Sequence, residues 1–295
     1  MSEPRLLALV DEVAQQLRAA GIDALSGLGQ GTQDPFDEAA WLVLWALGLP
    51  LSTDLHAAGA RPVSAEELTR IQALVDRRIV ERLPTAYLTG QAWLCGLPFY
   101  VDERCIIPRS FIAELMSDAS LDVWLGEHTR RVLDLCTGNG SLAVLAAMAW
   151  PEVQVDAADI SPGALAVARI NVERHGLQQR IRLIESDGLA ALPGPYDLVL
   201  CNPPYVNAQS MAALPAEYRS EPAIALAGGA DGMDFIRALL RDLPQRLSGH
   251  GVLVLEIGNE RAHFEAAFAR LSPVWLDTSA GDDQVLLLTR EMLAP

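Results

Sequence analysis

The stretch Val-Leu-Asp-Leu-Cys-Thr-Gly-Asn-Gly, residues 132–140, decides the fold. An apolar run reads as a strand, a turn containing Gly138 and Gly140 follows, and a helical pattern begins at once over 141–150. The two glycines let the backbone approach a ligand closely, and the first N–H groups of the helix have no intrahelical partner. The next apolar run closes on Asp159, about 20 residues on, where a carboxylate can accept both hydroxyls of a ribose. A ligand that carries a nucleoside fits this pair of features.

Working outward, short apolar runs alternate with helical patterns. Strands are expected at 132–136, 153–158, 181–185, 198–201, 252–257, 274–278 and 285–289, with helices at 141–150, 162–175, 233–247 and 260–270. Ser161 as N-cap and Pro162 at the first helical position open the second helix. Steady alternation predicts an α/β fold, a mostly parallel seven-stranded sheet covered on both faces. The last two strands are joined by a short turn around Gly281, too short for a parallel crossover, so they should pair as an antiparallel hairpin.

Before the sheet the pattern is helical. Leu6, Leu9, Val10, Val13 and Leu17 recur at helical spacing, as do Leu68, Ile71, Val75 and Ile79 after the capping-box pattern Ser64-x-x-Glu67. The expected division is a helical N-terminal domain at 1–90, a hairpin-like connector at 91–110 and the sheet domain at 111–295.

Composition limits the partners. The 295 residues are 51% hydrophobic, and 22 Lys+Arg against 38 Asp+Glu give a net charge of −16. A chain this acidic repels phosphate backbones, which argues against direct DNA binding and favours a basic protein partner. Cys95, Cys105, Cys136 and Cys201 show no C-x-x-C spacing and the histidines no H-E-x-x-H, so four buried reduced thiols and no metal are expected. No apolar run approaches the roughly 20 residues of a membrane span, and the N-terminus lacks a basic leader, which together predict a cytoplasmic protein.

The glycine turn alone does not choose the nucleotide, because Gly138, Gly140 and Ala143 also satisfy the G-x-G-x-x-A pattern of dinucleotide binding. Asp134, just before the turn, suits an ammonium group and would repel a pyrophosphate. Asp187 adds a second acidic residue after the third strand. The fourth strand then ends in Asn202-Pro203-Pro204-Tyr205. The prolines fix φ and hold their carbonyls in one direction. The Asn202 side-chain carbonyl and the Pro203 carbonyl can accept both hydrogens of an –NH₂ group, while Tyr205 offers an aromatic face. Such a clamp aims the nitrogen lone pair of a poor nucleophile at a methyl carbon. These features favour S-adenosyl-L-methionine over a dinucleotide.

Asp-Leu-Cys-Thr-Gly-Asn-Gly, Asp159 and Asn-Pro-Pro-Tyr together resemble the class I S-adenosylmethionine-dependent methyltransferases of planar amino groups. Over nearly its full length the chain is similar to the protein glutamine methyltransferases, which share Tyr87-Leu-Thr-Gly90 and Pro108-Arg109. Residues 92–115, Cys136 and the segment 214–222 resemble the subfamily that acts on ribosomal large-subunit protein three, a basic protein; the peptide release factors are the alternative substrate. The resemblance implies that Cys136, Thr137, Gly138, Asn139 and Gly140 hold the methionine part of the cofactor, with Asp134 behind them. It implies Asp159 and Ile160 for the ribose region and Asp187 and Gly188 for the adenine edge. Asn202 would touch cofactor and substrate, and Pro203, Pro204 and Tyr205 substrate. Arg109, Glu217, Tyr218 and Glu221 are further substrate-facing candidates. Release-factor enzymes often carry Trp where this chain has Gly188, so that aromatic contact does not transfer. A DNA amino-methyltransferase and a non-catalytic ribosome-assembly factor are the remaining alternatives.

Overall fold

The computed structural model describes residues 3–22, 32 and 34–293; residues 1–2, 23–31, 33 and 294–295, inside the predicted 1–90 and 111–295 spans, lie outside the described residues. The chain divides into two compact units, Met1–Ala92 with Pro215–Ser220, and Trp93–Leu214 with Glu221–Pro295.

The first unit holds α1 (Leu6–Ala19), α2 (Pro35–Ala46), α3 (Leu55–Ala58), α4 (Ala65–Val80) and α5 (Thr85–Thr89). The apolar stripe of α1 is buried with Leu42 and Val43 of α2 and Ile71 and Val75 of α4. The capping box of α4 is formed: Glu67 N–H donates to Ser64 Oγ, and Ser64 N–H donates to Glu67 Oε2 at 2.9 Å. The bond from the Ser64 backbone and one from Arg61 hold the Glu67 carboxyl down at about 2.

One expectation is corrected in this unit. Glu217, expected on a substrate-facing loop, is not solvent-facing; it is 1% exposed, because the turn at 215–220 carries it among the helices. There Arg78 reaches it at 3.1 Å and Arg82 at 2.7 Å, while Arg78 also donates to Glu38 at 2.6 Å. A buried carboxylate persists only with such partners.

The second unit is entered through a hairpin, β1 (Ala92–Leu94) and β2 (Leu97–Phe99), whose turn residues Cys95 and Gly96 both have positive φ. Cys95 is exposed there and Cys136 is half-buried, so only Cys105 and Cys201 are buried where four buried thiols were expected; all four are free. Then come α6 (Ile112–Ser117), β3 (Arg131–Leu135), α7 (Ser141–Ala149), β4 (Gln154–Asp159), α8 (Pro162–Arg174), β5 (Ile181–Glu185), β6 (Tyr196–Cys201), α9 (Ala208–Ala213), α10 (Asp234–Asp242), β7 (Leu247–Glu256), α11 (Arg261–Ala267), β8 (Val274–Thr278) and β9 (Gly281–Thr289).

The seven-stranded sheet has the order β5-β4-β3-β6-β7-β9-β8. β5, β4, β3, β6 and β7 pair in parallel, and β9 pairs antiparallel with both β7 and β8. One apolar layer packs α7 against Val132, Val155 and Leu198, and the other packs α10 against Leu133, Val199 and Leu253. From β3 the chain winds outward to β5, then crosses back to β6. The strand order therefore reverses between β3 and β6, the place where open α/β sheets bind ligands.

Candidate active site

At the carboxyl end of β3 the chain turns sharply through three residues of left-handed conformation, Cys136 at φ 62°, Gly138 at 56° and Gly140 at 81°. A Cβ on Gly138 would meet no atom within 4 Å, so this backbone faces open space. At Gly140 a Cβ would lie 3.1 Å from Ala168 Cβ of α8. That glycine serves close packing of α7 on α8.

Asp134 lies beneath the loop. It is 1% exposed, and its Oδ2 accepts from the Thr137 hydroxyl and, at 2.9 Å, from Ala143 N–H. Burial pushes its carboxyl up to about 7. Asn139 is also buried; its carbonyl accepts from the Asn171 amide at 2.8 Å. Thus Asp134, Thr137 and Asn139 brace the turn, and none of them is on the wall of the cavity that opens above it.

That cavity is walled by Cys136, Gly138, Asp159, Ile160, Asp187 and Gly188 among the expected residues, together with Asn202 and Pro204. Both oxygens of Asp159 already accept backbone N–H groups, Oδ2 from Gly138 and Oδ1 from Ser161, each at 2.9 Å. This fixes the carboxylate and leaves lone pairs for two hydroxyls. Burial raises its pKa above the ordinary carboxylate range. The Cys136 thiol is raised well above its usual value, first by its bond to the Cys201 thiol, and it stays protonated.

At the end of β6, Pro203 is buried and Asn202 half-buried. Among the described residues the Asn202 side chain has no hydrogen-bond partner, although it lines the cavity. Tyr205 is half-buried and its hydroxyl donates to Glu256 Oε1 at 3.2 Å. Arg109 is engaged in a two-pronged pair with Glu221, both bonds 2.6 Å, and Glu221 also accepts from Ile107 N–H. This pair ties the segment before the sheet to the segment after the tetrapeptide, where Pro222 and Ile224 join the cavity wall. Tyr218 is half-buried within the first unit.

Sequence reasoning missed Arg104, Ile106, Ile224 and Phe235 in the wall. They come from loops and from the start of α10, where no spacing marks them. It also missed Glu256, although a carboxylate closing an apolar strand is the signal that marks Asp159.

A seven-stranded sheet of this order, parallel except for its antiparallel terminal hairpin and with a glycine turn at its switch point, has the class I methyltransferase fold. A family model described as Methyltransferase small domain matches residues 115–217, and one described as PrmC N-terminal domain matches 8–90. The ribosomal protein uL3 glutamine methyltransferase of Bordetella pertussis (strain Tohama I) is 54% identical over 97% of this chain and 95% of its own. That of Burkholderia pseudomallei (strain K96243) is 52% identical over 88% of this chain and 87% of its own. The chain belongs to this family of glutamine methyltransferases. Among solved structures, the hMettl16 catalytic domain in complex with MAT2A 3'UTR hairpin 1 aligns with a TM-score of 0.52 at 16% identity, over 80% of this chain and 84% of that one, a likeness of fold alone.

Proposed function

We propose that this chain transfers the methyl group of S-adenosylmethionine to the side-chain amide nitrogen of a glutamine in ribosomal protein uL3. The uncommitted Asn202 amide in the cavity wall carries this reading. Its carbonyl oxygen and amide nitrogen face the cavity with no protein partner among the described residues, so they are open to a ligand's hydrogen bonds.

The cofactor supplies an electrophilic methyl group on a sulfonium. Gly138 and the neighbouring backbone hold its methionine part, Asp159 accepts the ribose hydroxyls, and Asp187 with Gly188 borders the adenine edge. The open space above Gly138 and the fixed, half-buried Asp159 carboxylate fit such a group. Asn202 Oδ1 and the Pro203 carbonyl accept the two hydrogens of the substrate amide, and Pro204 and Tyr205 bound its plane. When bound, the cofactor would supply a methyl group whose bond to sulfur breaks as its bond to the amide nitrogen forms, leaving a neutral thioether, and the nitrogen would then give its proton to water. Two acceptors on that nitrogen restrain it with its lone pair aimed at the methyl carbon, and such alignment accounts for about 7–11 kcal/mol of barrier. The helical unit is assigned to recognition of the protein substrate.

The test is transfer of methyl label from S-adenosylmethionine to unmethylated uL3 and, in parallel, to release factors, with the modified residue located by peptide mass spectrometry. Label on a uL3 glutamine is expected. Label on release factors alone, or none, overturns the proposal.

A further inference from the structure

Glu256 ends β7, in parallel register with β6 through Leu255 opposite Cys201, so the next residue along each strand is Glu256 on one and Asn202 on the other. The Glu256 side chain is fully enclosed, 2% exposed. A carboxylate there is tolerated only if its oxygens are bonded. Three donors converge on it: the Ser110 hydroxyl at 2.6 Å and Phe111 N–H at 2.9 Å on Oε2, and the Tyr205 hydroxyl on Oε1. Packing alone would be served by an apolar residue, so the carboxylate is explained by the groups it holds.

Tyr205 is confined on its other sides by glycines. A Cβ on Gly258 would fall 2.6 Å from the ring at Cε2, one on Gly228 would fall 2.7 Å from Tyr205 Cα, and one on Gly232 would fall 2.2 Å from its carbonyl oxygen. The backbone is fixed by Gly228 and Gly232, and one ring edge lies against Gly258. The hydroxyl end is fixed by Glu256.

We propose that Glu256 is a positioning residue for methyl transfer, acting through the Tyr205 hydroxyl to hold the ring of the Asn-Pro-Pro-Tyr clamp against the substrate amide. This rests on the function proposed above. Glu256 touches no cavity-wall residue of the cofactor region through its bonds, so its effect falls on turnover and not on cofactor affinity.

The experiment pairs Glu256→Gln with Tyr205→Phe, which removes the same bond from the other side and leaves the buried carboxylate its remaining donors. Each is expected to lower kcat on uL3 by about 10- to 100-fold, the worth of one hydrogen bond to a charged group. KM for S-adenosylmethionine should stay within about twofold in both. The double variant should be little slower than either alone. In protein labelled with 3-fluorotyrosine, the fluorine resonance missing from Tyr205→Phe is that of Tyr205, and it should move in Glu256→Gln. Additive losses, an unmoved resonance, or unchanged kcat in Tyr205→Phe overturns the inference. If Glu256→Gln does not fold, Tyr205→Phe decides through its kcat and KM. Wild-type protein that leaves uL3 unlabelled instead refutes the function, while the fluorine shift still reports the bond.

Discussion

Asn202 sits at the cavity wall with its side-chain amide unclaimed by its neighbours, whereas Asp134, near the end of β3, is buried with its Oδ2 held by Thr137 and Ala143. Both positions were legible, because each lies at the end of an apolar strand. Their roles were not equally so. A strand pattern places a residue along the chain but not beneath or above a loop that folds back over it, and the loop through Gly138 folds over Asp134. Asn202→Ala should lower turnover by about 10²–10³, the usual loss for one group acting in the transition state. Binding of S-adenosylmethionine, measured by calorimetry, should fall far less, and near-normal turnover would refute the clamp. Asp134 makes a prediction about stability. Its folded pKa of about 7 lies above the ordinary 3.8. The folded state therefore binds more protons than the unfolded state between those values, and stability from this group is fully present below about 4 and lost as pH rises to about 7. Unfolding free energies of wild type and Asp134→Asn, compared from pH 5 to 8, should show wild type losing ground at up to about 1.4 kcal/mol per pH unit and then levelling. A difference independent of pH would contradict the assignment.

The elements followed the alternation of the sequence where side chains were apolar and misled where glycines stood for close packing. β7 begins at Leu247, ahead of the expected 252. In the structure a Cβ on Gly251 would lie 2.7 Å from the Tyr196 carbonyl oxygen, so that glycine admits a neighbouring strand. α10 ends at Asp242 rather than 247, since Pro244 cannot continue it and a short 3₁₀ turn follows. The same logic governs Gly140, which sequence reasoning assigned to the ligand. Gly140→Ala forces a Cβ both into left-handed backbone and against Ala168, and should cost about 1–3 kcal/mol in urea unfolding. Cofactor affinity, extrapolated to the folded fraction, should change less than in a Gly138→Ala variant, whose Cβ enters the cavity. The reverse ranking would return Gly140 to the ligand.

At the scale of the molecule, what the sequence hid was connection across distance. Nothing local to residues 214–222 reveals that Glu217 is buried against Arg78, 139 positions away, so a run of loop charges read as surface. Net charge, in contrast, was readable at once and has a consequence for rate. With a charge of −16, the protein should attract a basic partner before any contact forms, and salt should screen that attraction over about 8–10 Å at ordinary ionic strength. With S-adenosylmethionine saturating, kcat/KM for uL3 should fall about tenfold or more as salt rises from about 0.05 to about 0.5 M. kcat should change little, because the amide clamp is made of neutral acceptors whose contacts form after docking. Thermal melts at each salt concentration separate loss of steering from loss of fold. A kcat/KM that stays flat across that range would mean that the acidity serves solubility and that recognition of uL3 rests on shape and apolar contact instead.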